Sequence, residues 1–114
     1  MLTIDKLQEF GANVEEGLSR CLGKEDFYLK LVNMALADDG FSRLEEAVNS
    51  GDLHASFEAA HALKGVLGNL ALTPLFTPVA EMTELLRHEE EADYQAYLAT
   101  ILGQLDKLKA LAAD

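Results

Sequence analysis

Apolar residues recur along this chain at spacings of three and four, the period of an α-helix, and hardly ever alternate as in a half-buried strand. There is no hairpin dipeptide and little β-branched clustering. Leu7, Phe10, Val14, Leu18 and Cys21 form a loose N-terminal stripe that Gly11 is expected to break. Phe27, Leu31 and Met34 mark a helix over about residues 25–37, ended by Asp38-Asp39-Gly40 with Asp39 as the next N-cap. Phe41, Leu44 and Val48 make the following stripe, stopped by Asn49-Ser50-Gly51. Asp52 then caps a long helix running to about Leu70.

Thr73-Pro74 and Thr77-Pro78 each read as an N-cap followed by proline at the first helical position. Pro78 inside a helix begun at Pro74 forfeits a backbone bond, which predicts a turn or kink there. Val79, Met82 and Leu86 carry the pattern to about Glu90, and Glu89-Glu90-Glu91 reads as a solvated helix end and loop. Asp93 caps the last helix, where Tyr94, Leu98, Ile101, Leu105, Leu108 and Ala112 alternate by four and three, the seam of an antiparallel bundle. Short loops make successive helices antiparallel neighbours. The expected fold is all-α, an antiparallel up-and-down four-helix bundle with one or two additional N-terminal helices, in a single domain over residues 1–114.

Composition narrows the partners. With 49% hydrophobic against 25% charged residues there is material for a packed core. A net charge of −11, with only nine Lys and Arg, disfavours nucleic acid and anionic membranes. The lone Cys21 rules out an intramolecular disulfide and a cysteine-rich zinc site. No signal peptide or membrane span is visible, so a cytoplasmic protein is the expectation; it is read as a monomer, with a stand-alone module and an excised domain both open.

The candidate chemistry lies on the helix over 52–70. With Ala60 at zero and about 100° per residue, Leu53, Phe57, Leu63, Leu67 and Leu70 define a buried side. His61 falls at about 100°, just past its edge, with Lys64 at about 40°, Gly68 at about 80° and Gly65 at about 140°. Each interior glycine costs about 0.8–1.0 kcal/mol relative to alanine. Two of them beside one histidine are explained poorly by packing, being away from the centre of the apolar stripe. They would leave bare backbone for another macromolecule to approach the ring. Imidazole, with a reference pKa of about 6.5, offers a neutral nitrogen lone pair near neutrality without an activating base. Lys64 would offset charge on a phosphoryl group held there. No P-loop or kinase set is present, so the phosphoryl group must come from another protein.

The run Ala60-His61-Ala62-Leu63-Lys64-Gly65-Val66-Leu67-Gly68-Asn69-Leu70 resembles the signature of histidine-containing phosphotransfer (HPt) domains of two-component phosphorelays, a His-x-Leu-Lys-Gly core followed by small residues. The resemblance implies that His61 accepts the phosphoryl group, that Lys64 assists it, and that Gly65 leaves room for a response-regulator receiver domain. That receiver, or a hybrid histidine kinase carrying one, supplies the aspartate and Mg²⁺; no cofactor or metal belongs to this chain. Gly68 and Phe57 join Gly65 as docking candidates. Two positions depart from the family pattern. Ala71 stands where glycine is common, and a glutamine that many members use to orient the imidazole has only Thr83 or Glu84 as its nearest equivalents, with water as the alternative.

Blander readings stand beside these. Lys64 can snorkel along the apolar edge, Phe57 can be core margin, and His54 reads as a bystander. Glu58-Ala59-Ala60-His61 is half of a di-iron motif, but no second Glu-x-x-His exists and Glu58 falls well off the buried side. The main functional alternative is a non-catalytic helical module that docks a receiver or another signalling protein. A histidine kinase dimerisation domain would bring an ATP-binding domain and a different motif.

Overall fold

A computed structural model describes all of residues 1–114 as seven helices: α1 (Ile4–Phe10), α2 (Val14–Arg20), α3 (Glu25–Leu36), α4 (Gly40–Ser50), α5 (Leu53–Asn69), α6 (Thr73–Arg87) and α7 (Tyr94–Ala113). The last four form the bundle: α5 packs on α4 and α6, and α7 closes the ring against α6 and α4. Three helices precede them rather than one or two. One cluster of 22 buried residues takes side chains from all seven helices. No helix is long and apolar enough to cross a membrane.

Asp52 Oδ1 accepts from Ala55 N at 3.0 Å and Asp93 Oδ1 from Ala96 N at 3.0 Å, as capping predicts. Asp39 behaves otherwise. It makes no side-chain capping bond; Asp38 Oδ1 accepts from Gly40 N at 2.7 Å instead, while Asp39 pairs with Arg43 at 2.9 Å on the surface. Helix α6 starts with Leu72 as its N-cap, so Thr73 is already helical and is not the cap. The turn expected at Pro78 is absent as well, since α6 runs unbroken through it. Leu75, Val79, Met82 and Leu86 all stay buried on one face across that point, and their packing outweighs one missing backbone bond.

The boundaries of α3 match expectation but its buried face does not. Phe27 and Met34 are 48% and 59% exposed, while Tyr28, Val32 and Ala35 enter the core. The fully buried Tyr28 donates its hydroxyl to Leu70 O at 2.8 Å, tying α3 to the end of α5. Burial pushes its phenol up to about 12, so it stays a donor at physiological pH. Leu53, expected inside, opens α5 beyond the core and is 39% exposed.

Helix α5 ends on Ala71 in the left-handed region, at φ 54°, with Leu72 N donating to Leu67 O at 3.0 Å. The ending is therefore the one a glycine would make, carried here by alanine. On α7, Gly103 is exposed and an added Cβ would touch nothing within 4 Å. Gly103→Ala should therefore raise stability by about 0.8–1.0 kcal/mol, readable as a higher Cm in urea with an unchanged m-value.

Candidate functional site

Helix α5 presents its candidate chemistry on the side away from Leu63 and Leu67, whose exposure is 1% or less. His61 is exposed, as its position on the helical wheel requires. One turn earlier on the same helix, the Phe57 ring stacks on the imidazole with centroids 5.5 Å apart and planes 12° from parallel. From α6, the Arg87 guanidinium lies 5.1 Å over the Phe57 ring. Arg87 Nε donates to Glu84 Oε1 at 3.3 Å, and the same oxygen sits 3.9 Å from Lys64 Nζ. The α5 side chains around His61 are thus joined to α6 through Arg87 and Glu84, a linkage that appears only when the two helices pack together.

The two glycines differ in kind. At Gly65 an added Cβ would find open space. At Gly68 it would lie 3.0 Å from Phe76 Cε1, so close packing of α5 on α6 accounts for that glycine, against the expectation that packing explains the pair poorly. An open groove of about 480 Å³ runs from His61 past Gly65 and Gly68, flanked by Glu16 and Arg20 of α2 and by Phe76. Sequence spacing gave no hint of the α2 wall, because that helix reaches the site only through the tertiary fold.

Neither expected orienting group bonds the imidazole. Thr83 is fully buried and donates its hydroxyl to Val79 O at 2.7 Å, a bond within its own helix. Glu84 is engaged with Arg87 and Lys64. Phe57, read both as core margin and as a docking candidate, is half-buried and packs against the core. Glu58 pairs with His54 at 2.6 Å rather than with His61. No group of three or more His, Cys, Asp or Glu side chains gathers to hold a metal ion.

The structure is thus an all-α bundle that presents the exposed imidazole of His61, with an ammonium one turn on and bare backbone at Gly65 beside it. The Hpt domain family model matches residues 34–112, from the end of α3 through nearly all of α7, and the chain belongs to that family. Hpt domains are histidine phosphotransfer modules of two-component phosphorelays, and they act with receiver and kinase components. They are in general phosphocarriers without catalytic activity of their own. No curated protein and no solved structure matches the chain.

Proposed function

We propose that this chain is a phosphorelay intermediate in which His61 takes a phosphoryl group from a receiver aspartate and passes it to another. Support comes chiefly from one observation, an exposed imidazole flanked by the open face of Gly65. Nε2 attacks the aspartyl phosphate in line; the P–O bond to the carboxylate breaks as an N–P bond forms, and the carboxylate leaves. Nδ1 keeps its proton throughout. The receiver contributes Mg²⁺, and this chain, acting as a cytoplasmic monomer, contributes no metal.

Lys64 has a resting partner, Glu84, at 3.9 Å. Both side chains are partly solvated, and such pairs are worth about 0–1 kcal/mol. A phosphoryl group on His61 is a stronger attractor for the ammonium and draws it away from Glu84. Lys64 then offsets the charge that accumulates during transfer.

Incubation with a phosphorylated receiver should place an acid-labile, base-stable label on this chain. His61→Gln should remove all label while receiver binding persists. Binding without label in the wild type, or label that survives in His61→Gln, would leave a docking module with no transfer at this histidine.

A further inference from the structure

The phospho-acceptor reading leaves open what aims the imidazole, since Thr83 and Glu84 are both committed elsewhere. An exposed, unanchored histidine samples several rotamers, and only some of them point Nε2 at an incoming phosphoryl group. We propose that Phe57, itself held by Arg87, is the positioning residue for His61. This inference rests on His61 being the acceptor.

The geometry supports it in three ways. Rings at 5.5 Å and 12° are within the range of favourable offset stacking, so the plane of the imidazole follows that of the phenyl ring. Phe57 has little freedom of its own, because it packs against the core and lies under the Arg87 guanidinium. Arg87 is in turn restrained by its bond to Glu84. Stacking also differs from a hydrogen bond in its consequence. It fixes the ring plane while occupying neither nitrogen, so Nε2 remains free to attack and Nδ1 remains free to keep its proton.

Proton NMR of His61 tests the arrangement without any transfer. In the wild type its ring protons should be shifted upfield by the Phe57 ring current, and Phe57→Leu should abolish that shift. Transfer at saturating receiver should fall by about 2- to 10-fold in the same variant, the worth of one aromatic pair, with receiver affinity unchanged. Phe57→Tyr should restore both the shift and the rate. Arg87→Met, a change at the exposed surface of α6, should give a smaller loss of both, and it carries the test if Phe57→Leu does not fold. An unchanged shift, or a changed shift with an unchanged rate, overturns the inference while leaving His61 as acceptor. Failure of the wild type to take any label would overturn the acceptor reading, and this inference with it.

Discussion

Gly65→Leu is expected to abolish phosphotransfer while leaving the protein folded. Side chains on an α-helix lean toward its N-terminus, so a leucine at 65 lies over the turn that carries His61. Position 65 has open space around it, so the new side chain meets solvent rather than core. In the helix interior leucine is the better residue than glycine by roughly 0.8 kcal/mol, and thermal stability should rise slightly. The partner meets the added bulk instead. A displacement of about 1 Å in a reacting pair can cost about 10²-fold, so a loss of that size or more is expected in single-turnover transfer. Gly103→Leu is the control, since Gly103 is equally open but on α7. It should match the stability change and leave transfer intact. Gly68 cannot serve in the same test, because bulk there strikes Phe76 and disturbs the packing of α5 on α6. Normal transfer by Gly65→Leu would show that a partner does not approach along this flank.

Gly17→Ala is expected to be the most damaging small substitution for stability. An added Cβ would lie 2.5 Å from Cζ and Oη of Tyr28, far inside contact distance. The tyrosine ring is 0% exposed and its hydroxyl is tied to Leu70 O, so it has no room to give way. Overpacking of this kind costs about 1–3 kcal/mol, set against about 1 kcal/mol gained in helix propensity. With the ring unable to yield, the overpacking prevails, and the melting temperature should fall by several degrees, at about 4–8 °C per kcal/mol for a domain near this size. Hydrogen exchange should localise the loss to α2, which would also loosen the groove wall formed by Glu16 and Arg20. An unchanged melting temperature would mean that α2 pivots to accommodate the methyl group.

The same two glycines show how far the sequence can be read. Gly65 was conspicuous because it lies on one helix with His61 and Lys64, and spacing along one helix fixes which residues share a strip. Gly17 carried no such signal, since its reason is a tyrosine eleven positions away on another helix. The resemblance to the family pattern points to Thr83 as a partner of the imidazole, yet its hydroxyl turns inward to Val79 O. Nothing along the chain indicates that Arg87 would cover Phe57.

By itself, the sequence determined where α3 and α5 begin and end and where α7 begins, because caps, glycines and a three-and-four period are local properties of the chain. It also determined that His61, Lys64 and Gly65 occupy one side of α5, since the helical repeat places them there. The tertiary structure decided which face of α3 is buried, whether α6 breaks at Pro78, and which side chains hold the imidazole. Those outcomes depend on contacts between helices, where several faces of similar hydrophobicity compete and only the packed arrangement selects among them.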